Sequence, residues 1–194
     1  MARTAKEATA VVGVADHCGW AVLVTVAGGA LLDRRRVELL DDGLPRLPHH
    51  HEAQGLPLSE AEALIERVRA STERHAATCL AALAGAVSAR VVGIALRRCP
   101  PLPATLVERL ASTRAQNVAD SVMTRQALAE AAAARGWSVT WYEVRRVHAE
   151  ATRALGHETI HALLARTGAA LGPPWQEDHR LAMAAAIAAA GARA

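Results

Sequence analysis

The chain has 194 residues, enough for one large domain or two small ones with a substantial core. A hydrophobic fraction of 52% against 21% charged residues excludes wholesale disorder, and three scattered cysteines, Cys18, Cys79 and Cys99, exclude a disulfide scaffold or a zinc finger. The formal charge of +3 rests almost wholly on arginine, since Lys6 is the only lysine; this permits a phosphate-bearing partner and equally fits the residue usage of a GC-rich genome.

The opening residues 1–10 lack the apolar core of a signal peptide, and the most apolar run, 181–191, is too short to cross a bilayer. A soluble, cytoplasmic protein is the expectation. With no Phe and one Tyr, a broad aromatic platform for single strands is not expected.

In chain order, the apolar run 10–15 predicts a first strand and the Val-rich run 20–26 a second, joined by a tight turn at Asp16-His17-Cys18-Gly19. Gly28-Gly29 turns the chain again into a third strand over 31–40, which carries Arg34, Arg35 and Arg36. Short turns force antiparallel neighbours, so these three form a meander. Residues 41–57, with three prolines and His49-His50-His51, read as a long loop. Ser59 with Glu62 has capping-box spacing and opens a helix running to about Leu83. The apolar run 91–96 is a buried, parallel fourth strand, followed by Arg97 and Arg98. One long helix or two occupies 104–135, closed by Gly136, before a fifth strand over 138–144 and helices over 158–166 and 177–190. The helix between the third and fourth strands permits a right-handed crossover that sets 91–96 parallel to 10–15. No repeat or linker divides the chain, so a single domain over 1–194 is expected, with the loop at 41–57.

That order matches the layout of the ribonuclease H-like fold, an α/β class with a mixed five-stranded sheet, three strands antiparallel and two parallel, flanked by helices. The C-terminal half adds motifs. Tyr142-Glu143-Val144-Arg145-Arg146-Val147-His148 resembles the Tyr-x-Pro-x-x-Val-Lys stretch of RuvC-type Holliday-junction resolvases, with Val144 for the Pro and His148 for the Lys. Gly156 falls where that family has a glycine, and Glu177-Asp178-His179-Arg180-Leu181-Ala182-Met183-Ala184 is similar to its final helix. The resemblance implies a nucleic-acid-binding protein, acting on structured DNA as a homodimer, with magnesium or manganese held by acidic residues. It implies Asp16, Asp178 and His179 as metal ligands, His148 as a phosphate contact, and either a metal-dependent nuclease or an inactive binding or assembly module.

The acidic pattern departs from the family. Gly13-Val14-Ala15-Asp16 puts the first acid one residue late, on the opposite face of a strand, and no carboxylate stands at Ala95, Leu96 or Arg97, where a second is expected.

Each candidate also has a plain structural role. Asp16 suits the start of a hairpin turn, Glu177 and Asp178 suit a helix N-terminus, and His179 suits an exposed helix start. His49, His51 and Glu52 carry metal-ligating groups, and they equally suit a solvated loop or a loop over the site end of the sheet. Cys18 beside His17 lacks the geometry that activates a thiolate. Arg97, Arg98, Arg145 and Arg146 are the candidate phosphate contacts, although alternate residues on a strand point apart. No glycine-rich phosphate loop, nucleophile elbow or HExxH site is present, which leaves an actin-like kinase half without support.

Overall fold

A computed structural model describes residues 8–192; the start of the N-terminal segment read above as lacking a signal peptide, residues 1–7, lies outside them. The strands are β1 (Thr9–His17), β2 (Trp20–Ala27), β3 (Ala30–Glu38), β4 (Arg90–Arg97) and β5 (Ser138–Tyr142). The helices are α1 (Leu58–Ala86), α2 (Leu106–Leu110), α3 (Thr113–Ala134), α4 (Val144–Leu155), α5 (Ile160–Leu171) and α6 (Glu177–Gly191).

The five strands form one sheet in the order β3-β2-β1-β4-β5. The expected pairing holds: β2 is antiparallel to both β1 and β3, while β4 is parallel to β1. The structure adds β5, parallel to β4 at the sheet edge. β1 lies at the centre and is covered on both faces, which is why 10–15 is continuously apolar rather than alternating. Even-numbered residues Ala10, Val12 and Val14 pack with Leu80 and Leu83 of α1 and Leu128 of α3. Odd-numbered Val11 and Ala15 pack with α4, α5 and α6. Each fully buried Val or Leu in these layers is worth about 1.5–3 kcal/mol.

At Gly13, β1 and α6 come into direct backbone contact. A side chain on Gly13 would run into the backbone carbonyl of Ala182 and come within 2.7 Å of the Ala186 nitrogen. The alanine-rich run of α6 is therefore a buried layer seated on the sheet. Among the described residues no helix is long and apolar enough to cross a membrane.

Three local expectations are corrected, and one left open is settled. β1 runs through Asp16 to His17, so the hairpin turn is Cys18-Gly19, with Gly19 at φ +78°, and Asp16 is a strand residue. α1 starts at Leu58 because the Pro57 carbonyl already accepts from the amides of Glu60 and Ala61, which places Ser59 inside the first turn without a capping bond. The capping boxes with a side-chain acceptor lie elsewhere, as at Thr105 with Glu108 on α2. β5 stops at Tyr142 and α4 begins at Val144, with Val147 and Ala151 one turn apart as its buried stripe and Gly156 at φ +73° as its cap. The stretch 104–135 is two helices, and α3 packs against α1.

Candidate functional site at the carboxyl end of the sheet

Asp16 ends the buried run of β1 with its carboxylate completely enclosed and aimed at α3. Arg125 of α3, itself 7% exposed, donates from Nε to Asp16 Oδ2 at 2.7 Å. Arg97, the last residue of β4, brings its Nε to 3.8 Å from Oδ1. Neither that oxygen nor that nitrogen has a hydrogen-bond partner. Arg125 also reaches the Arg98 carbonyl, at 3.5 Å. Where the sequence resemblance led to the expectation of a second acid, β4 ends in a cation, and Asp16 is ion-paired.

The nearby phenol and thiols are shifted upward. Burial and the Asp16 charge push the Tyr142 phenol up to about 12, and its hydroxyl donates to the Val14 carbonyl at 2.7 Å. Burial, with Asp120 and Asp16 adding to it, pushes the Cys18 thiol up to about 11. Burial raises Cys99 as well. A thiolate nucleophile does not fit these thiols.

His17 follows Asp16 and, by strand alternation, reaches the opposite face. Its Nε2 lies 3.0 Å from Asp178 Oδ2 at the start of α6, and its ring stacks on Trp20 with centroids 3.8 Å apart. Arg36 sits 3.9 Å from the same Trp20 centroid. Asp178 therefore meets a histidine on the α6 face while Asp16 meets arginines on the α3 face. Glu177 is exposed in the first turn.

His179, expected at the surface, is buried at 8% exposure because its Nδ1 accepts the Gln176 amide at 3.3 Å and closes the start of α6. Burial, helped by the Arg34 charge, lowers its pKa. His148 lies on α4 with its ring 5.3 Å from that of His161. Burial and that second imidazole lower its pKa too.

The 41–57 loop is anchored rather than solvated at its centre. Asp120 of α3, 2% exposed, accepts the His49 amide at 3.0 Å, His49 Nδ1 at 2.7 Å and the His50 amide at 3.2 Å. Thr124, one turn on, accepts the Gly19 amide at 3.4 Å. Asp120, Thr124 and Arg125 were missed by sequence reasoning. Their signal is polar residues on a helix face that otherwise carries Ala119, Met123, Ala127 and Leu128, a face that must be buried.

The phosphate-contact candidates do gather at one end. Arg97 and Arg98 leave β4, the Arg98 amide bonds the Tyr142 carbonyl, and Arg145 and Arg146 form the first turn of α4 directly after β5. Arg98 pairs with Glu143 at 3.4 Å and Arg146 with Glu150 at 3.2 Å, both at the surface, and Arg145 is exposed. Arg34, Arg35 and Arg36 instead serve the protein itself. Arg35 is bidentate to Asp33, Arg36 bonds Glu38, and Arg34 donates to the carbonyls of Gly172 and Pro174.

A magnesium or manganese pair requires several carboxylate oxygens converging on the ions. These residues do not fit that requirement: Asp16 is committed to guanidinium groups, Asp178 stands across the sheet from it, and among the described residues no three His, Cys, Asp or Glu side chains converge as a metal group.

No protein-family model matches the sequence, and no curated protein does. Solved structures do match. Thermus thermophilus RuvC in complex with a Holliday-junction substrate superposes with a TM-score of 0.52 at 16% identity, covering 95% of each chain. A second Thermus thermophilus RuvC structure gives 0.52 at 15% identity, covering 95% of this chain and 94% of that one. The mixed sheet, its strand order and its flanking helices are those of the ribonuclease H-like fold in its RuvC-like form.

Proposed function

We propose that this chain binds structured nucleic acid through the arginines at the carboxyl end of its sheet and does so without a two-metal hydrolytic centre. The observation that carries the reading is the Asp16–Arg125 ion pair with Arg97 beside it, which puts positive charge where a cleaving relative needs carboxylates. Arg97, Arg98, Arg145 and Arg146 would meet the backbone phosphates. Their present surface partners hold them weakly, since exposed ion pairs are worth about 0–1 kcal/mol, so a phosphate displaces Glu143 or Glu150 at little cost. The similar fold of a RuvC in complex with a Holliday-junction substrate favours branched DNA as the first substrate to try.

The test is binding of a four-way junction and a matched duplex over a salt series, with and without magnesium. Neutralising four phosphates gives a log–log salt slope of about −3.6, and Arg145→Gln with Arg146→Gln reduces it by about 1.8. Binding that persists in EDTA, with both strands intact in magnesium and manganese, supports the reading. Metal-dependent cleavage abolished by Asp178→Asn restores the nuclease assignment, with Asp16, Asp178, His179 and His148 as its site. Absence of DNA and RNA binding at low salt overturns both and leaves an assembly module.

A further inference from the structure

A groove of about 590 Å³ lies between the 41–57 loop, α1 and α2, away from the arginines that open α4. We propose that it binds a primary ammonium group carried on a short apolar chain, with the imidazole of His49 as the acceptor at its base. The proposal is independent of the nucleic-acid reading above.

His49 is 3% exposed, and its ring is oriented from α3. Its amide and its Nδ1 both reach Asp120 Oδ1, at 3.0 and 2.7 Å. A carboxylate only accepts, so Nδ1 carries the hydrogen and the neutral ring keeps a lone pair at Nε2. Nε2 lies on the far side of the ring from that contact and has no partner. An acceptor buried without a donor is costly, and His49 lines the groove, so a donor entering there relieves that cost.

The α1 wall is one helical stripe, Ser59, Glu62, Ala63 and Glu66, spaced i, i+3, i+4 and i+7, which sets side chains toward the opening. Among the described residues neither the Ser59 hydroxyl nor the Glu62 carboxylate has a partner. The cations of the groove are already engaged. Arg69 lies between Glu66 and Glu73, and Arg109 donates to the carbonyls of Pro103 and Ala104. Glu60, Glu62 and Glu66 outweigh the partial positive charge at the start of α1. An ammonium has three donors and no acceptor, which matches three unpaired acceptors, one of them charged. Ile65 and Leu106 offer carbon surface to the attached chain. An anionic ligand would face Glu62 and a lone pair instead.

The experiment titrates the full nitrogen-15-labelled chain with n-pentylammonium, and with pentan-1-ol and pentanoate as neutral and anionic counterparts, following affinity and the His49 Nε2 resonance. Pentylammonium is expected to saturate with a Kd of about 1 mM, the order for so few heavy atoms, and to move Nε2. Pentan-1-ol is expected to bind roughly 10-fold more weakly, and pentanoate not at all. Glu62→Gln, at an exposed helix position, should weaken pentylammonium up to about 5-fold. His49→Asn keeps a donor for Asp120, removes Nε2 and should abolish binding. If that variant does not fold, the wild-type Nε2 shift and Glu62→Gln still decide. Nα-acetyl-lysine methylamide presents the same ammonium on a peptide: tighter binding than pentylammonium assigns a protein lysine as its source, weaker binding a free amine. No saturation by pentylammonium below about 50 mM, saturation by pentanoate in its place, or full affinity in Glu62→Gln with Nε2 unmoved overturns the proposal. DNA binding through Arg145 and Arg146 is measured separately, so failure of the groove leaves the functional reading standing.

Discussion

The Asp16–Arg125 pair makes opposite predictions for a binding module and for a metal-dependent nuclease. In a metal centre without its ions, clustered carboxylates repel, and changing one to its amide relieves that repulsion. Here the carboxylate is enclosed and bound by Arg125 at 2.7 Å, so Asp16→Asn removes attraction. A hydrogen bond to a charged group is worth about 1.5–3 kcal/mol, and Asn retains part of the geometry, so we expect a loss of about 2 kcal/mol. Arg125→Met leaves the anion with Arg97 alone, at 3.8 Å, and falls near the lower end of the range for breaking a buried pair, about 3 kcal/mol. For a chain of this length these correspond to melting temperatures lowered by about 4–8 °C and 6–12 °C. The double variant leaves no unpaired charge from the pair, so its loss should fall short of the sum by about 2 kcal/mol. Urea denaturation and thermal melts of the free protein in EDTA measure all four corners of the cycle. A rise in stability for Asp16→Asn, or strict additivity, would refute the ion-pair argument.

Gly13→Ala should destabilise by about 3 kcal/mol, because the added methyl meets backbone atoms of α6 that cannot rotate away; an unchanged urea midpoint would contradict the packing. Stability should fall as pH drops from about 7 toward 5. The unfolded chain takes up a proton near the ordinary histidine pKa before His179, whose folded pKa is lowered, so the stability present above 6.5 is lost through that interval. His179→Gln keeps an acceptor for the Gln176 amide and should flatten this part of the pH profile. Asp120→Asn should speed proteolysis within residues 41–57 several-fold, since it weakens the anchor of His49 and His50; equal cleavage rates would show that the loop is held by other contacts.

Strand order was legible because it follows from near-neighbour constraints: short turns dictate antiparallel partners, and a 29-residue helix between β3 and β4 permits only a crossover. The helix α4 was not anticipated at all, because Val144 and Val147 are β-branched and extend the pattern of β5, whereas the helix is decided by burial of Val147 and Ala151 under α6. The departure of the acidic pattern was visible in Asp16, one residue late, and in the missing carboxylate at the end of β4. What receives that carboxylate was not, because Arg125 lies 109 residues away and only the packing of α3 on the sheet brings the two together. The same holds for His49, whose partner Asp120 is 71 residues distant.

The covering of β1 by α6 bears on how the chain is made. β1 receives one of its two lids from α6, a helix synthesised much later, with His17 and Asp178 separated by 161 positions. At about 5–20 residues per second, a ribosome takes on the order of 8–32 s to span that interval. During it, Val11, Ala15, Val22 and Val24 present an apolar sheet face with α6 still absent. A nascent chain stalled before Glu177 should accordingly be a strong client for holdase chaperones, and release from them should coincide with the emergence of α6.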